Sequence, residues 1–370
     1  MQHVTNLMDP IDVLDLSFCS KRAKVCARTY RALNKHCNII TRTTFDKKVG
    51  VQIVFSDQTT LSWWLWKEIN PKKLTGYQTI QSRKVGGVTF EISAKEMSSN
   101  TLLASCDNLE VSVKFITEYV LSVFPCTVHT VELDIKLFSD FKFLSNWDTV
   151  KKCEALRVRA GGHSTKDDLE DVMSLVTKYE SLEIIEYDKE PFFNQKMASM
   201  EQLKLMDAFL LSEENFFKLN CKTIELGENE YDNAMLNKIM KKWYSKELEN
   251  LQVLSIVMEH IELSDLQPIF EGIQLKKWDP KAHHRYYKKS SSMLFDCKNG
   301  FDILRSDGKL ATVLFADYSF NFMVWNERFP DLSLSPLMYY SRNPKHPIVY
   351  VKKLGSTQFD IDLVVDVNAV

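Results

Sequence analysis

The sequence predicts a mixed α/β fold in which strands and helices alternate through the middle of the chain. Three observations predict it. A short template, apolar-x-x-apolar-x-apolar, occurs at Val128–Val131–Leu133, Cys153–Leu156–Val158, Tyr179–Leu182–Ile184, Cys221–Ile224–Leu226 and Leu248–Leu251–Val253. Its starts are 25, 26, 42 and 27 residues apart, and three of those gaps fall near the ~20–29-residue period of leucine-rich repeats. Stripes at helical spacing fill two gaps: Leu169, Val172, Met173 and Val176, then Leu236, Ile239, Met240 and Trp243, with Asp232 placed to cap the second. The third observation is a β-hairpin signal around Asp307-Gly308, whose residues tolerate a tight turn.

The strand–helix units are read as an irregular stacked array. Each unit has an apolar side that it cannot bury alone, so neighbours must cover it. The 42-residue gap is expected to hold an insertion. Such an array would present a sheet face for binding. Ordinary α/β packing is the competing explanation, because the template is short and permissive.

Composition narrows the function classes. The chain has 370 residues, 45% hydrophobic and 26% charged, as expected of a folded globular chain. Gly 11 plus Pro 10 makes 21 residues, too few for low-complexity sequence or for a glycine-rich phosphate loop. The net charge of −2 offers no global attraction to nucleic acid or anionic membrane. No apolar run reaches the ~20 residues that span a bilayer, and MQHVTNLMDPIDVLDL lacks the pattern of a signal peptide. A cytoplasmic or nuclear location is expected. Eight scattered cysteines without a CxxC argue against zinc or a disulfide framework.

Taken in order, the chain opens with a helical hairpin. Asp9 precedes Pro10 at a helix start, and Ile11, Leu14 and Phe18 recur at helical spacing. Ser20 can cap a second helix with Ala23, Cys26, Ala27, Tyr30 and Leu33 as its apolar stripe. Lys21, Lys24, Arg28, Arg31 and Lys35 would form its outer face. Residues 1–50 carry nine Lys/Arg against four Asp/Glu, and residues 201–271 carry seven against fourteen. Solvated faces explain this segregation as well as partners do.

Strands follow where Val49, Val51, Ile53 and Phe55 alternate, and again at Val88, Phe90 and Ile92. Trp63, Trp64 and Trp66 between them are read as strand-borne core residues rather than a binding surface. KKWDPKAHHRYYKK at 276–289 has six Lys/Arg and one Asp and reads as an exposed loop. Phe301 and Ile303 before the hairpin turn, Ala311, Val313 and Phe315 after it, and Phe320, Phe322 and Val324 beyond give three strands. The last stretch, with Pro330, Pro336, Pro344 and Pro347, is expected to be partly ordered.

No GxSxG, HExxH, GxxxxGK[ST] or GxGxxG motif is present, and no catalytic residue is assigned. Gly161-Gly162-His163 lacks the lysine and helix start of a phosphate loop and reads as a turn. His283-His284 reads as exposed loop, since adjacent positions point apart and chelate poorly. Glu228, Glu230 and Asp232 are placed to complement a helix dipole. No metal or cofactor is expected, and nothing marks an enzyme.

Two stretches carry a resemblance. LMDPIDVLDLSFCSKRAKVCARTYRAL resembles the second half of an F-box in the form common to large nematode families: Met8-Asp9-Pro10, an apolar helix, then Ser17-Phe18-Cys19-Ser20-Lys21-Arg22. LLSEENFFKLNCKTIELGENEYDNAMLNKIMKKW, with Asn237 and Trp243, followed by LENLQVLSI and by GFDILRSDGKLATV with Val324-Trp325, resembles the F-box-associated type 2 domain. The resemblance implies a substrate-recognition adaptor of an SCF (cullin–RING) ubiquitin ligase, not a catalyst. Its F-box would dock a Skp-type adaptor through Pro10, Leu14, Leu16, Cys19, Lys21 and Arg22. Its associated domain would capture an unknown protein substrate. The Leu-Pro segment that opens such F-boxes is missing upstream of Met8, so the F-box is expected to be shortened. The implied division is 1–45 partial F-box, 46–275 array, 276–330 basic loop and hairpin, and 331–370 tail. The alternative is a stand-alone protein–protein interaction module. Membrane partners are not expected. Nucleic acid binding through the basic stretches is disfavoured, since no aromatic residues interleave the basic helix.

Overall fold

The computed structural model is a mixed α/β protein whose contacts divide it into two compact units, Met1–Asn194 and Gln195–Val370. It describes residues 8–28, 34–42, 48–55, 60–66, 77–85, 88–95, 101–106, 108–124, 126–135, 147–151, 153–160, 164–176, 179–185, 192–207, 211–228, 231–258, 267–289, 294–316, 319–330, 336–340 and 349–353. The division falls inside the stretch 46–275 that the sequence reads as one array.

The first unit begins with α1 (Pro10–Cys19) and α2 (Lys21–Ala27). Pro10 opens α1 without losing a needed donor. The side chain of Asp9 makes no capping bond, against expectation, whereas Ser20 Oγ accepts from Ala23 N at 3.0 Å. The second helix is shorter than its apolar stripe suggests. It stops at Ala27, and Asn34–Arg42 is strand β1, so Lys35 lies on a strand and not on a basic helix face. Tyr30, Arg31 and Leu33 lie outside the described residues.

Strands β2 (Lys48–Phe55), β3 (Thr60–Trp66), β4 (Tyr77–Val85), β5 (Val88–Lys95) and β6 (Thr101–Ser105) follow, then helix α3 (Leu109–Val123). β2 pairs antiparallel with β1 and β3, and β6 runs parallel to β3 and antiparallel to β5, which pairs with β4. Val49, Val51, Ile53 and Phe55 are all buried, as their alternation requires, with Leu61, Trp63 and Leu65 beside them. α3 covers this sheet with Val113, Ile116, Val120 and Val123, and Phe124 meets Phe55 edge-on at 5.7 Å. Trp63 is a core residue, as expected. Trp64 points to the other face and is half-buried, and the side chain of Trp66 lies outside the described residues.

Three parallel strands complete the unit: β7 (Val128–Asp134), β8 (Ala155–Arg159) and β9 (Ser181–Ile185), with β7 also parallel to β1. The short α4 (Asp148–Lys151) lies between β7 and β8, and α5 (Lys166–Leu175) between β8 and β9. α5 starts with a capping box in which Thr165 and Asp168 satisfy each other's backbone. It buries Leu169, Val172 and Met173, the predicted stripe. The template residues sit side by side: Val131 opposite Leu156 and Leu156 opposite Leu182, then Leu133, Val158 and Ile184. All are buried. Gly161-Gly162-His163 lies outside the described residues.

The second unit repeats the arrangement. β10 (Gln202–Asp207), the one-turn α6 (Glu213–Phe216), β11 (Thr223–Glu228), α7 (Asn233–Tyr244) and β12 (Val253–Val257) give three more parallel strands. Two corrections follow. The 42-residue gap is not an insertion but holds β10, whose Met200–Leu203–Leu205 is a further copy of the template with spacings of 21 and 21 residues. The last copy is also three residues later than expected. Leu254 and Ile256 pair with Ile224 and Leu226, so the aligned set is Leu251–Leu254–Ile256. A repeated turn fixes this register: the Glu201 carbonyl accepts from Lys222 N and Thr223 N, and the Lys222 carbonyl accepts from Gln252 N and Val253 N.

The sheet then turns antiparallel. β13 (Lys276–Lys277), the β14 (Tyr286–Lys288) and β15 (Leu294–Asp296) hairpin, β16 (Phe301–Leu304), β17 (Leu310–Ala316) and β18 (Ser319–Val324) follow. β18 pairs with β12 and β17, β17 with β16, and β16 with β13. The predicted hairpin turn is present, and Gly308 takes φ +84°, which a side chain would resist. α7 covers one face of the sheet, with Trp243 edge-on to Phe322 at 5.1 Å. On the opposite face Tyr287 and Cys297 bury against Val253, Leu310, Leu314, Met323 and Trp325. Beyond Pro330 the described residues form a strand pair, β19 (Pro336–Tyr340) and β20 (Val349–Lys353).

Candidate functional site

The hairpin of α1 and α2 is built into the first unit rather than tethered to it. Ser17 Oγ donates to the Leu14 carbonyl at 2.5 Å, so the Tyr119 hydroxyl of α3 donates to Ser17 at 2.9 Å. Phe18 stacks on Tyr119 with ring centres 5.2 Å apart and meets Trp63 edge-on at 5.8 Å. Lys24 Nζ lies 4.2 Å from the centre of the Tyr119 ring, and burial followed by the charge of Arg28 lowers its pKa.

This packing sorts the six hairpin candidates. Pro10 and Leu14 are buried within the chain itself, so they are not available on an open face. Leu16 is half-buried. Cys19, Lys21 and Arg22 are exposed. Sequence reasoning overlooked Val25, whose side chain is 62% exposed among cations. Its signal was its place at i+4 from Lys21, away from the Ala23–Ala27 side.

A second arrangement lies on the strand face opposite the aliphatic rows of the first unit. Glu132, Arg157 and Glu183 are successive residues of one cross-strand row. Arg157 Nη1 reaches Glu132 Oε2 at 3.0 Å and its Nε reaches Glu183 Oε2 at 2.5 Å, while Arg159 Nη2 is 3.8 Å from Glu132 Oε1. Burial works against the charge of Arg157, but the two glutamates overcome it and raise the guanidinium pKa. The row is legible once the templates are aligned, because the residue between the last two apolar positions reads Glu, Arg, Glu.

The third arrangement overturns an expectation. His283 is fully buried and not part of an exposed loop; His284 beside it is half-buried. The His284 carbonyl lies 2.7 Å from His283 Nδ1 and can only accept, which places a proton on Nδ1. Nε2 faces both carboxyl oxygens of Asp302, at 3.1 and 3.0 Å. Thr312 Oγ1 donates to Asp302 at 2.7 Å and accepts from Trp325 Nε1 at 2.8 Å. The Trp325 ring lies 4.2 Å from the imidazole and seals it. A His–Asp–Thr set this enclosed offers no approach to a substrate. It clasps the 276–289 segment to the sheet.

Asn237 and Trp243 are structural too. Asn237 Nδ2 donates to the carbonyls of Ile269 and Glu271, at 2.8 and 3.0 Å. Trp243 packs under Arg305, whose guanidinium is 4.7 Å from the ring and bridges the Trp243 carbonyl to Asp307. Asp232 caps α7 as expected, accepting from Met235 N at 2.8 Å; the side chains of Glu228 and Glu230 lie outside the described residues. Among the described residues no group of three His, Cys, Asp or Glu side chains converges on a metal position, and no helix is long and apolar enough to cross a membrane.

No family model matches the chain, and no solved structure matches it. Among the proteins it is similar to are three from Caenorhabditis elegans, each described as uncharacterized. One is 25% identical over 342 residues, covering 89% of this chain and 78% of the relative. A second is 23% identical over 340 residues, covering 89% and 76%. A third is 21% identical over 336 residues, covering 88% and 90%.

Proposed function

We propose that this chain is a substrate-recognition adaptor of an SCF (cullin–RING) ubiquitin ligase, acting in the cytoplasm or nucleus. The helical hairpin docks the Skp-type adaptor, and the strand arrays present a face to a protein substrate. The observation that carries the reading is the exposed side of the hairpin. Cys19, Lys21, Arg22 and Val25 face outward from a helix pair that α3 and Trp63 hold in place. A partner gripped there is fixed to the body of the first unit, as handing over a substrate demands.

One observation favours a second reading, a stand-alone interaction module with no ligase role. Pro10 and Leu14, which the resemblance assigns to the adaptor, are spent on internal packing. Co-purification of the full chain with a Skp-type adaptor separates the two. Complex formation that Val25→Asp weakens at least about ten-fold supports the ligase adaptor. Val25 is exposed, so this substitution leaves the fold intact where Leu14→Asp would not. Absence of a complex with wild-type chain sinks the ligase reading and leaves the stand-alone module.

A further inference from the structure

The basic, aromatic residues of 276–289 take no part in the helical hairpin or in the strand rows. The β14–β15 pair that they enter has two sides. Tyr287 faces the outer core of the second unit, where its hydroxyl donates to the Val324 carbonyl at 3.3 Å. Its neighbours on β14, Tyr286 and Lys288, therefore point the other way. Tyr286 is half-buried and Lys288 is exposed. Arg285 holds its fork against Asp296, Nε to Oδ1 at 2.9 Å and Nη2 to Oδ2 at 2.5 Å, and its Cζ lies 5.2 Å from the centre of the Tyr286 ring. The Arg285 side chain is still 40% exposed. Asp296 and Tyr286 together fix the guanidinium plane, so solvent meets a flat cation in one position. The His284 ring stands 5.8 Å from Tyr286, and its Nδ1 accepts from Tyr286 N at 3.0 Å, which leaves the ring proton on Nε2 as a donor.

Cations surround this platform. Residues 281–298 hold Lys281, Arg285, Lys288, Lys289 and Lys298 against the single acid Asp296. Lys298 N donates to Asp296 Oδ1 at 3.1 Å, and Asp296 lies opposite Tyr286 in the strand pair. The Arg328 carbonyl accepts from His284 N at 2.6 Å. Lys288, Lys298 and Arg328 are exposed. Of the acids on neighbouring segments, Asp302 is buried on His283, Asp307 is held by Arg305, and Glu225 pairs with Lys289. Asp279 and Glu327 are exposed, and Glu327 offsets its neighbour Arg328. Residues 201–271 of the same unit hold seven Lys/Arg against fourteen Asp/Glu, so a polyanion is repelled from them and confined to the outer layer.

A fixed flat cation beside two rings, with lysines around it, matches a ligand that has both a π face and phosphate charge. An acidic peptide brings the charge without the π face, and a duplex keeps its bases stacked on one another. Helix α2 has cations with no such interleaved rings. We propose that the outer layer of the second unit, residues 284–298, binds single-stranded nucleic acid. One unstacked base lies on the Arg285 guanidinium beside Tyr286 and His284, and Lys288 and Lys298 take the flanking phosphates. The inference stands apart from the ligase reading, which rests on the helical hairpin of the first unit.

The test is fluorescence anisotropy of the full chain with labelled oligo-uridylate and oligo-thymidylate of about 12 nucleotides, a duplex of the same length and a polyglutamate peptide. Single strands should bind, with the duplex and the peptide at least about ten-fold weaker. RNA and DNA binding alike places recognition in base and phosphate, and tighter RNA binding adds the 2′-hydroxyl; either supports the site. Arg285→Lys keeps a cation beside Asp296 and loses the plane, so it should weaken binding about five-fold or more. Lys288→Ala should lower the slope of log affinity against log salt by about 0.7, and Lys288→Arg should bind as wild type does. Lys288 is exposed, so an unchanged urea midpoint for Lys288→Ala keeps lost binding apart from lost folding. No single-strand binding at low salt, a duplex or peptide bound as tightly, Arg285→Lys binding as wild type, or a salt slope that ignores Lys288 overturns the proposal.

Discussion

The two units use the same strand template and differ in what they put on its other side. In the first unit the position between the last two apolar residues carries Glu132, Arg157 and Glu183, and these pair with one another across the strands. In the second unit the same position carries Lys204, Glu225 and Ser255. There Glu225 pairs outward with Lys289 at 2.7 Å, and Ser255 Oγ donates to Asn321 of β18 at 2.8 Å. The next row of the second unit is Met206, Gly227 and Val257, with Gly227 pressed so close to the Met206 carbonyl that a Cβ would collide with it. Inward positions accept only aliphatic groups that fill the layer under the helices. Outward positions are free of that demand, so each unit writes its own chemistry there. The second unit goes further and builds another core on that side, around Tyr287, Cys297, Met323 and Trp325.

The largest effect should come from breaking that extra core. Asp302→Ala strips the carboxylate from the fully enclosed His283, and from Thr312 as well. Leaving buried hydrogen-bonding groups without their partner costs about 1–3 kcal/mol for each group, against near-neutrality when both partners become apolar. Asp302→Ala should therefore lower the urea midpoint sharply, and His283→Leu combined with Asp302→Leu should recover much of the loss. A double variant no better than the single one would mean that the network is needed for its geometry and not only to keep its buried polar groups paired.

Next comes the template itself. Leu226 is buried in register with Leu205 and Ile256, whereas its neighbour Glu225 is half-buried on the opposite face. Leu226→Ala should cost about 2–5 kcal/mol through lost burial and the cavity left behind. Glu225→Ala should cost about 1 kcal/mol or less, since its ion pair is partly solvated. Chemical unfolding of the two variants checks the contrast. Equal losses would show that the outward row supports the fold as much as the inward one does.

These contrasts also explain how much the sequence revealed. Periodicity gave the α/β class, the α5 and α7 stripes, the alternation of β2 and the Asp307-Gly308 hairpin, because each is decided by neighbours within a few residues. β1 was read as a continuation of a helix, since its strand state depends on β2 and β7, the latter some 90 residues away. β10 was missed because its template opens on Met200 and because one long gap hides two equal short ones. The stretch LENLQVLSI contains two overlapping matches, and only the hydrogen bonds to Lys222 choose between them. His283 was misjudged for the same kind of reason. A basic, aromatic stretch looks solvated until Asp302, 19 residues later, is seen to receive the imidazole. The hairpin candidates were legible as helix and not as surface, because burial of Pro10 and Leu14 is set by packing against the unit and not by their own pattern.

A smaller effect than that of Asp302→Ala sharpens the comparison most. Arg157→Met keeps the length and apolar stem of the side chain and removes only its charge. The Arg157 side chain is 38% exposed but Glu132 and Glu183 are only 1% and 14% exposed, so solvent screens the pairs from one side, and the loss should be about 1–3 kcal/mol. Arg159, 3.8 Å from Glu132, remains to offset part of the buried carboxylate. Screening also predicts how the loss responds to salt. Raising ionic strength screens the ladder from its solvated Arg157 side, so the gap between Arg157→Met and wild type should narrow in about 1 M salt. The gap for Asp302→Ala should stay, because solvent ions do not enter the His283 site. Unfolding midpoints for both variants at low and high salt make the measurement. If both gaps close together, the two networks are equally accessible, and the distinction between a charged row solvated at Arg157 in one unit and a sealed clasp in the other is lost.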